Sequence, residues 1–583
     1  MEHKYIKSFL FILMSFGAMS FADGTHKGDR PAAPEAGYFD SPMNRSLKLS
    51  GTFGELRNNH FHAGIDIKSS AGGVGDPVYA PADGFISRVN IEGSGYGNSL
   101  MIDHPNGYST LYAHLLKFAP SIQLWAKNKQ YESQSFEIDV AVPRDVFPVS
   151  KGQIIAYMGN TGASQAPHLH FEIRETSTQI PVNPLKFYLP VQDNQAPAIN
   201  YLSVYSLNNL KQSFKTQKFI TYKRKNGEYK LAKDTILIGS WRTGFGLNTF
   251  DFMEGSWSKN GVYSIEMYVD DVLTYGFKMD SIALDKTRNI NAHMDYLEKV
   301  NRNSFIHRCY TLPGNQLSIY NENINNGLVD LYTDRARKIR LKSLDQQGNT
   351  AVLEFYVKRD PNTLSPEPTN YNYILPYNEP SIIRVEGMEL YMPTGTIFED
   401  LYLKFKSQDD PSNGIYSKMY HIHDKMTPVN SYYNIAIKPS KAIPDNLRTK
   451  SFVAMCDRNV VTNCGGTWNG DSLITEIRSF GDFCIMIDTI APTITPVVFR
   501  SDLSRAKFVR FSIGDNIRNT GRCKGLTYKA YIDNQWICMA YDARYRTITY
   551  DFEPDQYKGR HTLKLEVADA VGNKKVFERE FWR

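Results

Sequence analysis

The stretch APHLHFEIR, Ala166 to Arg174, alternates strictly. Read with period two, Leu169, Phe171 and Ile173 share one face of a strand, while His168, His170, Glu172 and Arg174 share the other. One face is core, and the other presents two imidazoles side by side. A second stretch, HFHAGIDI, sets His62 and Asp66 four positions apart with Gly64 between them. If that segment is extended, positions 62, 64 and 66 point the same way, so an imidazole and a carboxylate converge past a glycine that clears the space.

One imidazole from His168 or His170 brings the set to three protein ligands, which leaves a fourth tetrahedral position for water, as in catalytic zinc sites. Imidazole nitrogens outnumber oxygens in the set and the region has no cysteine, so zinc suits it better than calcium, magnesium or a thiolate-bound metal. Zinc lowers the pKa of a bound water to ~7, which makes hydrolysis the default chemistry. Amide hydrolysis also needs a group to take the proton of the attacking water and a donor for the developing oxyanion. His168 and His114, the latter in TLYAHL, are the candidates, and their roles are interchangeable at this level. His60 and His104 read as structural. Glu172 reads as a partner of Arg174 or of solvent, and His421 and His423, a second H-x-H without an H-x-x-x-D before it, as surface or core residues.

HFHAGIDI, YGNSLMIDHPNGYSTLYAHL and VSKGQIIAYMGNTGASQAPHLHFEIR, in this order, resemble the lysostaphin-type zinc endopeptidases of bacterial cell walls over residues 48–188. The resemblance implies zinc ligands His62, Asp66 and His170, the catalytic pair His114 and His168, and a compact antiparallel β domain with an open groove. It also implies peptidoglycan peptides as substrate. The chain departs from the family's simpler members in an insertion over about 116–148, directly after His114, placed to form a wall or lid at one end of the groove.

A chain of 583 residues divides into roughly three to five domains. Hydrophobic residues make up 42% and charged residues 22%, and 36 Tyr with 32 Phe tilt the composition towards strands. A mainly β protein is expected. Residues 1–22 read as a secretory signal peptide: weakly basic Lys4 and Lys7, an apolar run from Phe9 to Phe21 shorter than the ~20 residues that span a bilayer, and small residues at Ser20 and Ala22. The expected location is secreted, in the periplasm or outer envelope, with no transmembrane span after cleavage. The formal charge of +6 falls by one on loss of Glu2, Lys4 and Lys7, and the absence of Lys/Arg blocks excludes nucleic acid as the expected partner. In an oxidising compartment Cys456 with Cys464 and Cys523 with Cys538 can close hairpins, and free buried thiols are the alternative.

Two segments share the pattern D-x-x-A-P-x-I, at Asp193 and Asp488, and two share D-x-x-G-N, at Asp345 and Asp569, each pair bracketing a strand-rich region. They read as two copies of one β-sandwich module, the first carrying a helical insertion near Asp285–Tyr310, and the second resembles bacterial immunoglobulin-like (Ig-like) modules. The expected architecture is therefore mainly β: a lysostaphin-like antiparallel β peptidase domain (23–190), then about three β-sandwich domains at 191–359, 360–487 and 488–583. The sandwiches offer a surface for an envelope protein partner. The expected function is a zinc-dependent metalloendopeptidase (Zn2+) acting on peptidoglycan, and the rival is a catalytically silent scaffold of the same fold that binds the wall or activates another wall hydrolase.

Overall fold

The computed structural model describes residues 36–583 except 226, 255, 410–413 and 555. The expected signal peptide, residues 1–22, lies outside the described residues. The chain is mainly β, as its composition predicts.

The first region contains β1 (Leu49–Gly51), β2 (Ile65–Lys68), β3 (Pro77–Tyr79), β4 (Gly84–Ile91), β5 (Asn98–Asp103) and β6 (Tyr108–Ala113). It continues with β7 (Leu115–Phe118), α1 (Pro120–Ser133), β8 (Ile138–Ala141), β9 (Pro148–Val149), β10 (Ile154–Met158), β11 (His168–Glu175) and β12 (Pro181–Val182). Among the described residues the large sheet runs β1-β2-β11-β6-β5-β4-β8, with β12 beside β11 and β9 beside β4, and a smaller sheet runs β3-β10-β7. Every pairing in both sheets is antiparallel.

Strand β11 lies between β2 and β6 and explains the alternation of APHLHFEIR. Leu169, Phe171 and Ile173 are fully buried and join Ile65, Ile67, Tyr112 and Ile102 in one core. Each such side chain contributes about 1.5–3 kcal/mol. The opposite face departs from a simple polar, solvated stripe. His170, Glu172 and Arg174 are buried as well, because they hydrogen-bond to one another and to neighbouring strands.

The insertion after His114 forms β7, α1, β8 and β9. Helix α1 buries Ile122 and Ala126 in the first core, and its outer side carries Tyr131, which meets Trp536 edge-on at 5.2 Å, and Lys127, which pairs with Glu553. The insertion thus forms a docking surface for the carboxy-terminal module, whose Tyr541 also packs on Gly93.

Beyond residue 190, paired sheets enclose three large cores among the described residues. One lies between the sheet around Ala198–Leu207 and Arg242–Phe250 and the sheet around Ser264–Val269, Arg337–Leu344 and Thr350–Arg359. The second spans Leu375 to Ile485, and the third Leu503 to Phe581. The expected helical segment near Asp285–Tyr310 contains short helices at Ile290–His293 and Tyr296–Arg302, the latter capped by the Asp295 side chain. The first region and the module after it exchange residues: Phe53, Leu56 and Phe61, from between β1 and β2, pack into the core that holds Ile199 and Val357, and Met253 packs into the core of the first region. Cys456 lies with its Sγ 3.8 Å from that of Cys484, since both project from paired strands, and so its sulfur neighbour differs from the Cys464 expected from spacing.

Candidate metal centre and active site

Register places the first two functional groups. On β11, His170 stands opposite Asp66 of β2, and directly opposed antiparallel residues project to the same face. Strand β2 begins only at Ile65, so His62 comes from the loop ahead of it, held by its backbone N–H to Glu55 O (2.9 Å) and its carbonyl to Gly54 N–H (2.9 Å). Gly64 clears space, though for β11 itself: a Cβ there would lie 2.3 Å from the Phe171 carbonyl oxygen and 2.8 Å from Glu172 Cγ. The loop can reach the cluster only because that position has no side chain.

The three groups converge. His62 Nε2 lies 3.0 Å from Asp66 Oδ1 and 2.9 Å from His170 Nδ1, which is itself 2.9 Å from Asp66 Oδ1. All three residues are buried. Each also has a second contact that aims it. His62 Nδ1 faces the Thr52 carbonyl at 2.8 Å, which directs Nε2 into the cluster. His170 Nε2 faces Glu172 Oε1 at 2.9 Å, which directs Nδ1 inward. Asp66 accepts the Arg57 guanidinium on its other oxygen, Oδ2, so Oδ1 alone enters the cluster.

Glu172 is wholly buried and fully engaged: it also accepts Tyr96 Oη at 2.7 Å and Arg174 Nε at 2.7 Å. Burial works against its charge, but Arg174 and His170 hold its carboxyl down at about 2. Burial likewise works against a charged His170, yet its hydrogen bonds to Asp66 and Glu172 hold it up at about 9. Burial carries His62 the other way, down to about 4, despite Asp66. The Asp66 carboxyl lies well below the usual range, since the His62, His168 and His170 contacts outweigh its burial.

His114 and His168 lie beside this triangle. His114 follows β6 with φ +60°, a left-handed conformation rare outside glycine, fixed by its N–H to Tyr96 O at 2.9 Å. Its ring centroid is 4.7 Å from that of His168 and 5.9 Å from that of His170. Both flanking rings present Nδ1 to a backbone carbonyl, Thr161 O at 2.9 Å for His114 and Ala166 O at 2.8 Å for His168. In the neutral rings that places the proton on Nδ1 and leaves the lone pair on Nε2. His168 Nε2 stands 3.4 Å from Asp66 Oδ1. Burial, with His170 and His168 close by, pushes His114 down to about 3, so it is a neutral base at physiological pH.

The donor set fits a zinc ion. Two imidazole nitrogens and one carboxylate oxygen stand 2.9–3.0 Å apart in a triangle. Ligands at zinc bond lengths of 2.0–2.1 Å in a tetrahedron stand about 3.3 Å apart, a few tenths of an ångström wider. Each nitrogen is backed by an acceptor on its other side, as metal-binding histidines are. Of the remaining sequence candidates, His104 is held by Asp83 O and Thr110 Oγ1, His60 by Asn58 O, His421 by Asp482, and His423 accepts the Lys404 N–H. The sequence reading missed Arg57 and Tyr96, which come from other segments. Glu172 carried a signal in its place two residues after His170 on the same strand face.

A buried His-Asp-His triangle with two further imidazoles beside it thus sits in an antiparallel sheet. Residues 60–131 and 138–184 match Peptidase family M23, and the chain carries a domain of that family there; residues 372–488 match a Zu5-like domain. The region is 35% identical over 170 residues to the DD-carboxypeptidase/endopeptidase Mpg of Neisseria meningitidis, covering 28% of this chain and 33% of that protein. It is 35% identical over 143 residues to the murein hydrolase activator NlpD of Escherichia coli, covering 24% and 29%. The match thus spans about a third of the length of these curated relatives. Among solved structures, the catalytic domain of lysostaphin from Staphylococcus simulans is 26% identical, covering 24% of this chain and 91% of that one, with a TM-score of 0.18.

Proposed function

We propose that the first domain is a zinc-dependent endopeptidase that hydrolyses peptide bonds in peptidoglycan, with His62, Asp66 and His170 as metal ligands. The observation that carries this reading is the pairing of His114 and His168, two imidazoles whose Nδ1 atoms face backbone carbonyls, beside the ligand triangle. Zinc held there would acidify a water and polarise the scissile carbonyl. The chain's own residues supply the remaining steps. One Nε2 of the His114–His168 pair takes the proton of the attacking water and returns that same proton to the leaving amine as the C–N bond breaks, and the other ring, when it carries a proton taken from solvent, donates a hydrogen bond to the oxyanion. Arg57 and Glu172 hold Asp66 and His170 in place throughout.

The similarity to a carboxypeptidase/endopeptidase supports peptidoglycan peptides as substrate, and the similarity to an activator of murein hydrolases supports an activating role on the same polymer. The presence of both the triangle and its flanking imidazoles favours the enzyme. The test is release of free amines from purified cross-linked peptidoglycan: it should occur with the zinc-loaded protein, stop on chelation and return on adding zinc. No release from a folded, zinc-loaded protein would favour the scaffold. Residues 23–190 are proposed as the catalytic unit and the following sandwiches as its positioning and envelope-binding part.

A further inference from the structure

Two more groups of carboxylates converge outside this site: Asp193, Asp251 and Asp345, and Asp488, Asp515 and Asp569. Both are assembled from the repeated patterns, with the Asp of D-x-x-A-P-x-I beside the Asp of D-x-x-G-N. The Asn of the second pattern ties the two together. Asn349 Nδ2 donates to Asp345 Oδ2 (2.7 Å) and to the Asp193 carbonyl (3.2 Å), and Asn573 Nδ2 donates to Asp569 Oδ2 (2.8 Å) and to the Asp488 carbonyl (3.0 Å). This lock joins the first and last strands of each module and by itself requires no ligand.

The first copy goes further. Asp251 is 1% exposed and Asp193 6%, yet no donor among the described residues reaches Asp251 Oδ1 or Asp193 Oδ2, and the two carboxyls lie against each other, where a shared proton or a cation is needed to join them. The charged groups acting most strongly on these two are carboxylates, namely each other, Asp345 and Glu254. A separate side chain points to what is missing. Asn260 is fully buried, and neither its Oδ1 nor its Nδ2 has a partner among the described residues. It exchanges both backbone hydrogen bonds with Asp251, at 3.0 and 2.9 Å, so the two side chains lie on one face. Orphaned carboxylate and carboxamide oxygens in a buried cluster are costly unless a cation balances them. The set contains only hard oxygen donors, which select calcium or magnesium over zinc.

We propose that Asp193, Asp251 and Asp345, together with the Asn260 carboxamide oxygen, bind one hard divalent cation of the calcium class. The ion braces the junction between the first two domains. From this cluster the chain runs to Met253, which packs in the first core, and to Gly261, whose carbonyl accepts Thr52 Oγ1 at 3.0 Å. The Thr52 carbonyl in turn orients His62, so the cation stands two residues' contacts from the proposed zinc centre.

The test is calorimetric titration of CaCl2, and separately MgCl2, into the full chain stripped with EGTA, freed of the chelator by gel filtration and reloaded with one equivalent of zinc. The expected result is a saturable uptake that weakens at least a hundredfold in Asp251→Asn and also weakens in Asn260→Ala, and that survives in Asp515→Asn. A charge signature keeps the result independent of folding: in EGTA, Asp251→Asn should melt at or above the parent temperature, and only the parent should gain on adding the cation. No uptake of either ion at millimolar concentration, or equal uptake by folded Asp251→Asn, would overturn the assignment.

Discussion

Glu172→Gln isolates the carboxylate behind the proposed zinc ligand. Glu172 touches His170 Nε2 at 2.9 Å and is wholly buried, so the substitution removes one charge without changing volume. Loss of such an outer partner typically weakens metal binding 10- to 100-fold, or about 1.4–2.8 kcal/mol. A second quantity follows from the same contact. In the metal-free protein His170 is held up at about 9 by Asp66 and Glu172 together, so it is almost fully protonated at neutral pH. A metal needs that ring neutral, and zinc uptake by the parent protein should therefore release about one proton at pH 7.5. In the Glu172→Gln protein only Asp66 supports the imidazolium, and fewer protons should be released. Competition against a chromophoric chelator gives the affinity, and calorimetry in two buffers of different ionisation enthalpy gives the proton count. Arg174 loses its buried partner in this variant, at about 3–5 kcal/mol. Glu172→Gln combined with Arg174→Met removes that stranded charge and should retain the affinity defect. Unchanged zinc affinity and proton release in a folded variant would refute the reasoning.

Further outcomes follow from the same geometry. Ala at His62, Asp66 or His170 should abolish stoichiometric zinc by metal analysis, whereas Ala at His114 or His168 should retain zinc and lose turnover. Acid should destabilise the metal-free protein: His62 and His114 stay neutral in the folded chain down to about 4 and 3, while the unfolded chain takes up protons near 6.5. Stability is therefore lost as pH falls below ~6.5, by about 2 kcal/mol per ring at pH 5. His170 has the opposite sign, and its contribution, complete below ~6.5, is lost as pH rises through about 9. Denaturant titrations at pH 5, 7 and 9 read both effects. Trp536→Ala removes the edge-on contact with Tyr131 and should loosen the carboxy-terminal module from α1, read as faster proteolysis between residues 488 and 583 with zinc content unchanged.

The candidate site is legible in the sequence because its groups sit in two short local patterns: strand periodicity aims His170 and Asp66 to one face, whereas His62 is turned in by the loop ahead of β2. His170 and Asp66 meet through a register that period-two reading anticipates. What escapes is the support. Arg57 and Tyr96 reach the cluster from loops, where no periodicity tells which way a side chain turns. The buried polar face of β11 escapes for a related reason: alternation separates faces, but whether a polar face meets water depends on partners contributed by other strands. Long-range exchange hides in the same way. Phe53, Leu56 and Phe61 look like first-domain core, yet they pack against the following module, and nothing local distinguishes the two cores. The repeated D-x-x-G-N pattern is visible as a repeat, but Asp251 and Asn260, which turn one copy into a cation cluster, belong to no motif.

The most direct test of the central claim is mass spectrometry of the soluble fragments released from purified cross-linked peptidoglycan by zinc-loaded residues 23–583, beside the zinc-loaded His168→Ala protein. The account predicts new peptide termini from the parent protein alone. Identical fragments from both proteins, or none from either with zinc bound, would contradict it.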